Sequence, residues 1–155
     1  MDLFRVPRRE APVRLLLDDG RVLDAGFFTA LTGPDGLPGR VVDRLNDPTE
    51  EFVALRSSLE RFLVNKSGIV TVRVEGDPEE ILGIEAGTGR HVPVRLSLAG
   101  GTALVGRLVV VMPADRSRVI DYLNAIPRFF PLVGEGTVTL VQKNFVVSVR
   151  DLEGE

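Results

Sequence analysis

The sequence predicts a mainly β protein built from two tandem copies of one small β-barrel module, each with a short helix between its second and third strands. Three observations carry this. The stretch Arg40-Val-Val-Asp-Arg-Leu-Asn46 returns as Arg118-Val-Ile-Asp-Tyr-Leu-Asn124. Ahead of each heptapeptide, two apolar stretches with alternating polarity meet at a glycine turn. Behind each come an aromatic-rich stretch and then two more strand patterns that meet at a lysine. The order per copy is β-β-α-β-β-β, and repetition at this length marks a duplicated unit. The copies cover residues 12–74 and 92–150, with an arm at 1–11, a linker at 75–91 and a tail at 151–155.

Residues 1–11 place Arg5, Arg8 and Arg9 beside Leu3, Phe4 and Val6, which reads as a lead-in with a basic edge. Val13, Leu15 and Leu17 then lie on one face with Arg14 and Asp18 on the other before Asp19-Gly20, a strong hairpin signal. In the second copy Val94, Leu96 and Leu98 alternate with Arg95 and Ser97 before Gly100-Gly101. Leu16, where the second copy has Ser97, is a candidate for an apolar contact outside the barrel core. Gly26 and Gly106 fall inside the second-strand patterns, where glycine marks a bulge or bend.

Loops follow at Gly33–Gly39 and Pro113–Ser117. Val41, Val42 and Leu45, like Val119, Ile120 and Leu123, then share one face of a short helix. Ser117 is a candidate N-cap, and Pro48 and Pro127 stop the two helices. Phe52–Leu55 and Phe129–Leu132 read as third strands. Phe62–Val74 and Val138–Val149 each read as two strands about a turn near the lysine. The linker is acidic and glycine-rich, with an apolar spot at Ile81, Leu82 and Ile84, and the tail reads as frayed.

Composition narrows function. The chain is 44% hydrophobic and 26% charged, which suits a folded core. No run nears the roughly eighteen apolar residues of a membrane helix, and the opening Met1-Asp-Leu-Phe-Arg-Val-Pro lacks a signal-peptide core, so the cytoplasm is the expected location. The absence of cysteine excludes disulfides and thiol chemistry, and one histidine, His91, excludes clustered histidine ligands. The net charge of −3 argues against broad nucleic-acid binding. Gly83, Gly87 and Gly89 lack the Lys-Ser/Thr pair of a phosphate loop. The repeated helix motif pairs Asp43 with Asn46 and Asp121 with Asn124, an arrangement open to a metal. Arg40 and Arg118, three residues before each aspartate, favour ordinary intrahelical ion pairs instead. No catalytic constellation, metal set or cofactor motif emerges.

With the strands in this order, each copy resembles the Sm-like fold of LSm proteins and Hfq, within the wider SH3-like class of small barrels. The resemblance rests on Val13–Gly26, with its alternating strand, turn glycine and second glycine, and on Val64-Asn-Lys-Ser-Gly-Ile-Val-Thr-Val72. Val141–Val149 fills the second place in the other copy. The helix departs from the hairpin usual at that point. The resemblance implies assembly by pairing the fourth strand of one barrel with the fifth of the next. It also implies single-stranded RNA binding through a lysine-histidine pair with a nearby aromatic. Of that set only lysine carries over, as Lys66 and Lys143. Asn65 and Gln142 stand at the aromatic position, and Ser67 and Asn144 at the histidine. Charge without a stacking platform forgoes the roughly 1–3 kcal/mol that each stacked base supplies. The expected function is therefore a non-enzymatic assembly or adaptor module with a protein partner or self-association. RNA binding through Lys66, Lys143, Asn65 and Gln142, joined by Arg14 and Arg95, is the alternative. A lesser alternative comes from Arg5-Val-Pro-Arg-Arg9, which resembles the start of PilZ domains and implies cyclic di-GMP binding.

Overall fold

The computed structural model describes residues 8–30, 39–58, 60–83, 85–111 and 118–153. Among these residues ten antiparallel strands form one sheet, accompanied by four short α-helices. The first copy supplies β1 (Arg8–Leu17), β2 (Val22–Ala30), β3 (Phe52–Ser57), β4 (Glu60–Asn65) and β5 (Ile69–Glu75), with α1 (Val41–Leu45) between β2 and β3. The second supplies β6 (Arg90–Leu98), β7 (Ala103–Val110), β8 (Phe129–Gly134), β9 (Thr137–Gln142) and β10 (Val146–Asp151). Its helix is α4 (Val119–Ala125). Between the copies lie α2 (Pro78–Leu82) and α3 (Glu85–Thr88).

The sheet order is β10-β6-β7-β8-β9-β5-β1-β2-β3-β4. Each half therefore has the same internal order, fifth, first, second, third, fourth. The halves join where β5, the fifth strand of one, pairs with β9, the fourth of the other. Two small barrels were expected, but the strands form one open sheet. The cause is local to the joint: the outer edges of β5 and β9 are spent on each other, so neither closes its own half.

Local chemistry explains the elements. Val13, Leu15 and Leu17 are buried, and the alternate positions face out. Gly20 has φ of +90°, which suits the tight β1–β2 turn. Val92, Val94, Leu96 and Leu98 repeat the pattern in β6. At Gly106 a Cβ would lie 2.9 Å from the Val133 carbonyl, so glycine lets β7 and β8 approach.

The core is shared between the copies. Phe129, Val133, Val138 and Leu140 of the second half pack with Leu15, Phe27, Leu45, Leu55 and Val72 of the first. Val70 of the first half belongs to the apolar cluster of the second, and Leu16 packs against it. The apolar contact expected of Leu16 is thus with the other copy.

Several boundaries differ from the sequence reading. Arg8–Ala11 belong to β1, paired with Phe27–Ala30, and not to an arm. The linker is structured: Asp77 caps α2 through a bond from the Glu79 N–H, Pro78 opens that helix, and Leu82 and Ala86 are buried. The strand β6 begins at Arg90, inside the expected linker, and β10 takes in Asp151 from the expected tail. Residues 1–7, including Leu3, Phe4, Arg5 and Val6, lie outside the described residues, as do most of both loops, Ile84 and Ser117.

Candidate functional site

The joint between the halves combines a strand ladder with a set of side-chain hydrogen bonds. Thr71 faces Val141, and Val72 faces Leu140, along the β5–β9 ladder. At the end of α1 the Asn46 amide copies a strand. Its Nδ2 donates to the Phe129 carbonyl at 2.9 Å, and the Phe129 N–H donates to Oδ1 at 2.8 Å. Gln142, buried at the end of β9, donates to the Lys66 and Ile69 carbonyls at 2.9 and 2.7 Å. Arg128 donates to Gln142 Oε1 at 2.9 Å, to Ser67 Oγ at 2.8 Å and to Glu51 at 3.3 Å. Hydrogen bonds from Ser67 and Arg128 hold the Glu51 carboxylate below its ordinary pKa.

The two lysines singled out in the sequence lie inside this framework. Lys66 is fully buried, and its ammonium donates to the Arg44 and Asp47 carbonyls at 2.7 and 3.0 Å, behind α1. Desolvation lowers its pKa, partly offset by Glu50 and Asp47. Lys143 is half-buried and donates to the Ile126 carbonyl at 2.7 Å, behind α4. Each lysine satisfies carbonyls left over at the end of its helix. Asn65 accepts from the Ser67 N–H at 2.9 Å and so starts the turn into β5. Lys66, Lys143, Asn65 and Gln142, four of the six residues of the RNA reading, are thus engaged with main chain or with Arg128 on both sides of the joint, while Arg14 is exposed and paired with Asp24 at 2.8 Å and Arg95 is exposed.

In the repeated helix motif, Arg40 pairs with Asp43 at 2.9 Å and Arg118 with Asp121 at 2.9 Å, as the three-residue spacing predicts. The Asp121 carboxylate raises the Arg118 pKa. Asn46 does not take a left-handed cap; its φ of −92° is right-handed, because its side chain is committed to Phe129. Asn124 lies within α4, which runs to Ala125. His91 accepts from Arg107 at Nδ1, 3.3 Å away, which leaves Nε2–H to donate to the Ala86 carbonyl at 2.7 Å. It ties α3 to β6 and β7. Tyr122 is the buried residue of α4, and desolvation pushes its phenol up to about 12.

The two ends of the sheet complete the site. Among the described residues no strand pairs with the outer edge of β4 or of β10. The strand β4 is the first-half counterpart of β9, and β10 is the second-half counterpart of β5. Matching positions differ sharply in exposure. Leu140 on β9 is 0% exposed, whereas Leu63 on β4 is 69% exposed. Val70 on β5 is 4% exposed, whereas Val147 on β10 is 72% exposed. Phe129 is fully buried in the joint, while Phe52 at the start of β3 is exposed. Beside β10, a groove lined by Val119, Ile120, Leu123, Asn124, Val147 and Val149 occupies the place that Phe129 and Leu140 fill beside α1.

Sequence reasoning placed the edge strands but missed Glu51, Arg128, Phe52 and Leu63 as members of a site. A signal was present, because positions 51 and 128 match between the copies and carry opposite charges. No protein-family model, curated protein or solved structure matches this chain.

Proposed function

We propose that the protein is a non-enzymatic assembly module of two fused Sm-like units that self-associates through its free sheet edges. The observation that carries this reading is the apolar exposure gathered on β4, β10 and their flanks. Phe52, Leu63, Ile120 and Val147 are four of the seven large apolar side chains exposed among the described residues. The counterparts of Phe52, Leu63 and Val147 are buried where the two halves meet. Unpaired strand edges bearing apolar side chains favour strand addition, and folded monomers ordinarily blunt them with charge. In this reading β4 of one molecule lies against β10 of the next and repeats the pairing of β9 with β5. Covering a Phe or Leu side chain supplies about 1.5–3 kcal/mol, so this edge has a driving force of useful size.

The RNA reading has less support, since the ammonium groups of Lys66 and Lys143 already serve main-chain carbonyls. The cyclic di-GMP reading turns on Arg5, outside the described residues, with Arg8 and Arg9 inside β1.

Light scattering coupled to size exclusion tests the proposal. The wild-type chain is expected to run well above its 16.9 kDa monomer mass. Leu63→Lys, which puts a charge on the free edge, is expected to run at the monomer mass. Val105→Lys, at an exposed apolar position away from both edges, is expected to behave as wild type. A wild-type chain that stays monomeric at every concentration sinks the proposal.

A further inference from the structure

We infer that the contact between successive molecules is keyed by Asn124, whose amide closes on the Phe52 main chain of the next molecule, and by opposed charges at Glu51 and Arg128. This rests on the self-association reading and names the residues that would give that contact its register and order.

The argument is one of matched positions. In the joint that the structure contains, Asn46 at the end of α1 forms two hydrogen bonds with the main chain of Phe129, where β8 begins. Asn124 holds the same place in the repeated heptapeptide, and Phe52 holds the place of Phe129 at the start of β3. Asn124 is exposed and lines the groove beside β10. If β4 of the next molecule takes the place of β9, Phe52 and Leu63 enter that groove. The Phe52 main chain then lies where Asn124 receives it.

Charge supports the same register. Mapping the β5–β9 ladder onto the second joint sets Ser148 opposite Val64, Val149 opposite Leu63 and Asp151 opposite Arg61. The last pair joins opposite charges across the strands, a favourable arrangement for directly facing positions. At the edge of the joint, Arg128 of the second half meets Glu51 and Ser67 of the first. In the second joint the roles exchange, and Glu51 of the next molecule meets Arg128 and Asn144. Because β5 and β9 are already paired with each other, a fourth-with-fifth joint between molecules can use only β4 of one and β10 of another, so the contact is head-to-tail.

The chain has no cysteine, so engineered thiols report this geometry without background. The double variant Asn124→Cys with Phe52→Cys is expected to form intermolecular disulfides under mild oxidation, giving a ladder on a non-reducing gel. Each single variant is expected to give none, and dimers from either single variant would point to like-with-like edges and overturn the inference. Asn124→Ala is expected to raise the dissociation constant about tenfold, the loss suited to two hydrogen bonds at a wet interface. Its thermal unfolding as a dissociated monomer should match wild type, because the residue is exposed there. An assembled wild type whose affinity Asn124→Ala leaves unchanged overturns this inference alone and leaves the self-association reading standing. A wild type that never assembles removes both.

Discussion

Asn46 and Asn124 are the same residue in two copies of one motif, yet substituting them should have unequal consequences for the isolated chain. Asn46→Ala removes both bonds, 2.8 and 2.9 Å long, to the main chain of Phe129, a residue that is fully buried. The N–H and C=O left behind have no water at hand, and each such group costs about 1–3 kcal/mol, so the expected loss is about 2–5 kcal/mol. For a chain of this size that lowers the melting temperature by about 10 °C. Asn124→Ala breaks no such contact in the monomer and should stay within about 0.5 kcal/mol of wild type. Urea unfolding followed by circular dichroism measures both, in a Leu63→Lys background so that assembly adds nothing. Equal losses from the two substitutions, or none from Asn46→Ala, would refute the claim that Asn46 clasps the second half.

Other consequences are open to direct measurement. Lys66→Ala strips a fully buried donor from two carbonyls and opens a void, so it should cost about 3 kcal/mol or more, whereas Lys143→Ala, half-buried with one bond, should cost about 1 kcal/mol. With both lysines so engaged, short single-stranded RNA should show no anisotropy change with the protein at physiological salt; retention there would revive the RNA reading. Gly106→Ala forces a Cβ to within 2.9 Å of the Val133 carbonyl and 2.7 Å of Leu132 Cγ, and unfolding should show a loss of about 1–3 kcal/mol. Tyr122 is the only tyrosine, so near-ultraviolet absorbance reports it alone, and its ionisation should centre near 12 and not at the ordinary 10.0. Because the folded pKa lies above the unfolded one, the unfolded chain loses its proton first. The contribution of Tyr122 to stability therefore falls as pH climbs from about 10 towards about 12, by about 2 kcal/mol in all.

Much of the fold is legible because its strands report locally. Val13, Leu15 and Leu17 alternate with outward residues, and Gly20 and Gly100 mark turns that only their own neighbours determine. The heptapeptide disclosed the duplication, and the spacing of Arg40 and Asp43 disclosed their ion pair. What the sequence left obscure depends on contacts between distant residues. Lys66 reads as a surface charge until the ends of α1 and β4 converge and bury it against two carbonyls. Asn46 reads as a helix end, and its partner Phe129 lies in the other copy. The open sheet follows from the β5–β9 pairing, which uses edges that alternation alone cannot assign. The linker carries a legible signal of its own. Asp77-Pro78-Glu79-Glu80 is a capped helix start, hidden among glycines that suggested irregular chain.

The free edges tie these points together, because whatever covers β4 and β10 must protect their main-chain amides. Amide hydrogen exchange, followed by mass spectrometry across a wide range of protein concentration, reads those amides directly. The account predicts that peptides spanning Glu60–Asn65 and Val146–Asp151 gain protection as concentration rises, while the interior pair β5 and β9 stays protected throughout. Edge peptides that exchange equally fast at every concentration would contradict it.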